Sequence, residues 1–132
     1  MKRFVDTNIF VYSLFPIDLP KLHRCKKLFS QAQAGEIDLW TTEWVISELV
    51  WVLVRYKLTI PECKQVVMSI LTTEGLEVKN REWILEVLEM RDKIDDFIDA
   101  VHLVNAKRES VIEIYSFDKG FDQASGFVRR EP

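Results

Sequence analysis

Phe4-Val5-Asp6-Thr7-Asn8 runs apolar residues straight into a carboxylate with no polar alternation. Such a pattern is expected of a strand buried on both faces in a parallel sheet, ending where Asp6 begins. In open α/β sheets ligands bind beyond the carboxyl ends of the strands, which puts Asp6 on the edge where chemistry takes place. Thr7 and Asn8 add short polar side chains able to hydrogen-bond Asp6 or to cap a following helix. Taken alone, Asp6 reads as a plain helix cap before it reads as a site residue.

Outward from this stretch the chain alternates helical and extended patterns. Residues 9–15 form a short apolar segment, expected to be helical and to stop before Pro16. Asp18-Leu19-Pro20 has the form of a helix entry with proline in the first turn, and Gly35 closes that helix after Ala34. Leu22, Cys25, Leu28, Phe29 and Ala32 mark its buried stripe, while Lys21, Arg24, Lys26 and Lys27 charge its surface. These cations read as a solvated face or as contacts for phosphates. Residues 37–40 suggest a second strand, followed by an apolar helix capped at Thr41-Thr42 and reaching about Tyr56. On that helix Val45, Leu49, Val52 and Leu53 make a core stripe, and Trp44, Glu48, Trp51 and Arg55 follow one another along a neighbouring one. Thr59-Ile60-Pro61-Glu62 is a capping box opening the next helix, which stops near Gly75.

Residues 76–78 form a short strand candidate, Asn80 a cap for a helix carrying Ile84, Val87, Leu88 and Arg91, and Asp95-Asp96 the start of a helix to about Lys107. Residues 111–115 are a strand ending at Ser116-Phe117-Asp118, and 126–128 a last short one. Strands alternating with helices imply βα units and a mostly parallel sheet. With 132 residues, no repeat and no linker, one domain over 1–132 is expected.

Composition narrows the function. A content of 48% hydrophobic and 30% charged residues is that of a globular protein, and no apolar run is long enough to cross a bilayer. The N-terminal sequence lacks a signal-peptide pattern, so a cytoplasmic location is expected. Cys25 and Cys63 form neither a disulfide framework nor a metal-ligand pair, and with His23 and His102 they make no zinc quartet. A net charge of −3 argues against a protein that grips nucleic acid by charge alone, yet acids gathered around divalent cations reverse the local sign.

Four carboxylates recur in comparable settings. Asp6 and Asp118 follow strands, Glu48 lies within an apolar helix and Asp99 sits one turn into another, with Asp96 three residues before it on the same face. Each alone has a structural explanation, as a cap or a surface charge. Brought together, two carboxylates about 4 Å apart repel by roughly 4 kcal/mol at an effective dielectric of about 20, which favours a bound cation. Carboxylate oxygens are the hard donors that Mg²⁺ and Mn²⁺ prefer.

Phe4-Val5-Asp6-Thr7-Asn8, Ser47-Glu48-Leu49, the stretch from Asp96 to Leu103 and Ser116-Phe117-Asp118-Lys119-Gly120-Phe121 together resemble the PIN-domain nucleases, and most closely the VapC-type toxins of prokaryotic toxin–antitoxin pairs. The resemblance implies a three-layer α/β/α sandwich with a mostly parallel central sheet and a metal-dependent endoribonuclease using Mg²⁺ or Mn²⁺. It implies Asp6, Glu48, Asp99 and Asp118 as the catalytic, metal-binding acids, with Asp96 an accessory ligand. Asn8 would support Asp6, and Thr7 and Ser116 would tune the surrounding shell. Asp122 reads as surface decoration before metal ligand. A homodimer and a VapB-like antitoxin partner are implied as well. Two other readings start from the same acids. A phosphatase with Asp6 as phosphoryl acceptor would want an acid where Asn8 stands, and a Mg²⁺-binding phospho-acceptor or protein-interaction module, of the receiver kind, would want one where Thr7 stands.

Overall fold

A computed structural model of the chain describes residues 1–132. Helices and strands alternate along it and every strand pair is parallel, so the α/β class expected from the sequence is the class observed. The chain divides into two compact units, Met1–Arg81 and Glu82–Pro132.

In the first unit, strands β1 (Lys2–Phe4), β2 (Asp38–Thr41) and β3 (Leu76–Val78) lie in the order β1-β2-β3, with Lys2 opposite Asp38 and Trp40 opposite Glu77. Helices α1 (Thr7–Leu14) and α2 (Leu19–Gln33) connect the first two strands, and α3 (Glu43–Arg55) and α4 (Ile60–Leu71) connect the second and third. Their ends are where local chemistry puts them. The Asp18 carboxylate accepts from the Lys21 amide at 2.9 Å ahead of Pro20, and Gly35 at φ 75° turns the chain out of α2. Thr59 and Glu62 complete the reciprocal capping box of α4. Val5, Phe10, Leu39, Ile46, Leu49, Val50, Leu53 and Val67 are buried in the core, each such side chain contributing roughly 1.5–3 kcal/mol through removal from water. Ile46 and Val50 widen the α3 core face beyond the expected stripe, whose Val45, Leu49 and Leu53 are buried.

Two expectations are corrected here. β1 is not buried on both faces: Lys2, Arg3 and Phe4 are all exposed, Phe4 by 56%, because the strand pairs with β2 alone and leaves its outer edge unpaired. Burial begins one residue later, at Val5. Asn80 is no ordinary helix cap either, since it takes a left-handed φ of 56° and its amide donates to Glu43 Oε1 at 2.6 Å.

The second unit holds α5 (Arg81–Arg91), α6 (Phe97–Arg108), the parallel strands β4 (Glu113–Tyr115) and β5 (Val128–Arg130), and a short 3₁₀ helix, Lys119–Gln123, that the sequence reading left out. Ile84, Val87, Leu88, Leu103 and Val104 build its core, and buried Arg91 stacks its guanidinium 5.5 Å over the Phe97 ring. β4 starts two residues later than expected, leaving Val111 and Ile112 exposed, and β5 lies two residues further on. Arg129 fastens this pair. It donates to the Ser116 carbonyl at 2.9 Å and pairs with Asp122 and Glu131, while Arg130 pairs with Glu113.

Candidate active site

Asp6 owes its position to the residue before it. The Val5 amide donates to the Trp40 carbonyl at 2.8 Å, and the Val5 carbonyl accepts from the buried Thr41 hydroxyl at 2.9 Å. Held on both sides, the chain leaves the sheet at Asp6 in an extended conformation (φ −85°, ψ 163°) and enters α1. Asp6 is the N-cap residue by position, but its side chain accepts no capping hydrogen bond, so the exposed carboxylate keeps its lone pairs for a ligand.

Thr7 takes a different partner from the one the sequence invites. Its buried hydroxyl donates to Glu48 Oε2 at 2.8 Å, which ties the α3 carboxylate to the residue beside Asp6. Glu48 is otherwise exposed on α3, with Trp44 (75% exposed) and Trp51 (56% exposed) on either side along the helix. Val45, Leu49 and Leu53 anchor the opposite face of α3 and thereby set Glu48 outward.

In the second unit, Asp96 caps α6 by accepting from the Asp99 amide at 3.0 Å. Asp99 is half-buried in the first turn of that helix. Partial burial raises its pKa above the ordinary aspartate value, repulsion from Asp96 and then Asp118 adds to the rise, and His102 opposes it. Asp118 N-caps the 3₁₀ helix through the Gly120 amide at 2.8 Å, and its own amide donates to the Ser116 hydroxyl at 3.0 Å. Asp99 and Asp118 are therefore charge neighbours although 19 residues of sequence separate them. Asp122 instead answers Arg129 at 2.9 Å.

The first unit thus ties Glu48 to the residue after Asp6, and in the second both Asp96 and Asp118 repel Asp99. Within neither unit do three carboxylate, histidine or cysteine side chains stand close enough to enclose an ion by themselves. The donor chemistry still fits a hard divalent cation: every candidate is an oxygen ligand, Asp6 is uncommitted, and Asp99 is held among like charges. Cys25 and Cys63 are buried thiols away from any such group.

The pattern that defines the PIN domain family matches residues 3–126, almost the whole chain. The chain belongs to the PIN domain family. Members of this family are nucleases. Among solved structures, this PIN domain is similar to VapC20 of Mycobacterium tuberculosis, a sarcin-ricin loop cleaving toxin, at 20% identity over 100% of both chains with a TM-score of 0.40. It is similar also to VapBC2 of Rickettsia felis, solved bound to a DNA fragment from their promoter, at 13% identity over 99% of this chain and 98% of that one, again with a TM-score of 0.40. No curated protein matches the chain in sequence. No helix of this PIN domain is long and apolar enough to cross a membrane.

The sequence names the acids by their motifs and does not name what surrounds them. The Thr7 partner was invisible because Glu48 lies 41 residues away, and the ion pairs of Arg129 and Arg130 leave no mark in the sequence pattern. Lys21 and Arg24, in contrast, carry no ion pair.

Proposed function

We propose that this PIN domain is a divalent-metal-dependent endoribonuclease, the VapC-like toxin of a toxin–antitoxin pair, acting in the cytoplasm as a single functional domain over residues 1–132. Asp6, Glu48, Asp99 and Asp118 are its catalytic carboxylates and the ligands of Mg²⁺ or Mn²⁺, with Asp96 an accessory ligand. The observation that carries this reading is the pairing of an uncapped Asp6 with a Glu48 oriented by the neighbouring Thr7, in a chain of the PIN family. The charge repulsion at Asp99 supports it, because repelled carboxylates gain most from a cation.

When bound, such an ion supplies Lewis acidity toward the phosphoryl oxygens and lowers the pKa of a water. The protein's own part is positional. Thr7 fixes the Glu48 rotamer, the Val5 backbone fixes Asp6, Asp96 fixes the first turn that carries Asp99, and Ser116 fixes the turn that carries Asp118. By the same reading a homodimer and a VapB-like antitoxin regulate the enzyme, and the exposed α3 residues Trp44, Trp51, Val54 and Tyr56 offer apolar surface to such partners.

Cleavage of a labelled single-stranded RNA tests the proposal. Asp6→Asn and Asp99→Asn should each abolish internal cuts while circular dichroism remains that of the folded protein, and EDTA should abolish cleavage until Mn²⁺ or Mg²⁺ is returned. Full activity after chelation, or in Asp6→Asn, overturns it.

A further inference from the structure

Beside the start of α1 in the first unit lies an open cavity of about 420 Å³, within the roughly 300–1,000 Å³ range of small-ligand sites. Ile9, Cys25 and Leu28 form its apolar part, and Asn8, two residues after Asp6, contributes a side-chain amide. Lys21 and Arg24, one turn apart on α2, bring two positive charges, and no carboxylate lines it. In a chain of net charge −3, an acid-free cavity with two cations is a local inversion of sign. Tyr12 completes the lining, and the Lys21 ammonium lies 4.7 Å from the centre of its ring. Neither cation is consumed by an ion pair.

A ring, an amide, an apolar floor and two adjacent cations are the complementary parts of a base and its phosphate. Nucleobases stack on aromatic faces and present edges that an amide can read, while lysine and arginine take phosphate oxygens. We propose that this cavity holds one nucleotide of a single-stranded RNA, the base against Tyr12 and the apolar floor with Asn8 at its edge, and the phosphate on Lys21 and Arg24. The inference rests on the ribonuclease reading above and adds to it a recognition subsite at Asn8, two residues along the chain from Asp6. An acidic peptide would satisfy the cations but has no need of the ring and amide together.

Binding, measured apart from cleavage, tests this. Fluorescence anisotropy of a labelled RNA hexanucleotide is followed with the full chain in EDTA across a salt titration. Lys21→Ala and Arg24→Ala should each weaken binding about three- to tenfold and flatten the dependence of log affinity on log salt by ~0.7 per lost phosphate contact. Tyr12→Leu should weaken binding and Tyr12→Phe should not. Lys27→Ala, which removes a charge from the same helix outside the cavity, is expected to bind as the parent does. Equal weakening by Lys27→Ala would reduce the effect to general helix charge and overturn the subsite, as would unchanged binding in Lys21→Ala and Arg24→Ala. A poly-aspartate peptide that displaces RNA and depends on Arg24 more steeply than RNA does would assign the cavity to a protein partner and also overturn it. Tight, Arg24-dependent binding of RNA that the metal-loaded protein never cuts would sink the ribonuclease reading and leave the subsite standing.

Discussion

Replacing Thr7 by valine separates positioning from stability. The substitution keeps the shape of a buried side chain and removes the hydroxyl that donates to Glu48 Oε2 at 2.8 Å. A hydrogen bond to a charged group contributes about 1.5–3 kcal/mol when both partners are shielded. Glu48 is exposed, so water replaces the lost donor, and the valine methyl is buried at little cost; the net loss should be about 1 kcal/mol or less, or roughly 2–5 °C in melting temperature. With Glu48 as the proposed metal ligand the effect on chemistry is larger, because loss of a group that orients such a ligand typically costs about 10- to 100-fold in metal affinity or activity. Initial cleavage rates over a Mn²⁺ titration, set beside thermal melts of the same preparations, would show a right-shifted and lowered activity curve with a nearly native melt. Thr7→Ser, which retains the hydroxyl, should recover most of the activity. Activity of Thr7→Val within about twofold of the parent at limiting Mn²⁺ would refute the idea that this bond positions Glu48 for catalysis.

Asp99→Asn removes a carboxylate that partial burial, then Asp96 and Asp118, hold above its ordinary pKa; at a few tenths of a kcal/mol per like-charge pair the melting temperature in EDTA should rise by about 1–3 °C, and a fall would contradict the repulsion. Gly75 has φ 76°, and a Cβ there would meet the Ala32 carbonyl oxygen at 2.2 Å. Gly75→Ala should therefore cost about 3 kcal/mol or more and show as a large drop in the urea midpoint. Burial raises the Cys25 thiol pKa, against the opposing pull of Arg24 and Lys21. The folded chain then keeps that proton to higher pH than the unfolded one, so this contribution is full below the unfolded thiol value and is lost as pH rises through the folded one. Urea melts of the parent between about pH 7 and 10 should lose stability that Cys25→Ala does not lose.

What could be read from the sequence was local. Asp18-Leu19-Pro20, Thr59 to Glu62 and Asp96 announced three helix starts because a cap bonds to an amide only a few residues away. The α/β class followed from alternation alone. The misreading of β1 had a different cause: an apolar run looks the same in a central strand and in an edge strand, and only pairing tells them apart. Asp6, Glu48, Asp99 and Asp118 were nameable because their motifs stand in order along the chain. The Thr7 to Glu48 bond and the cationic cavity at Tyr12 were not, since each depends on which helix faces lie opposite each other.

Val128–Arg130 contains no acid, yet it governs one. The Ser116 amide donates to the Arg130 carbonyl at 3.0 Å, Arg129 returns a bond to the Ser116 carbonyl, and Ser116 in turn holds the Asp118 amide. A protein shortened after Gly126 would retain Asp6, Glu48, Asp96, Asp99 and Asp118 and still set Asp118 adrift. Trimming the tail to aid crystallisation or to fuse a reporter would thus unseat a proposed ligand without deleting it.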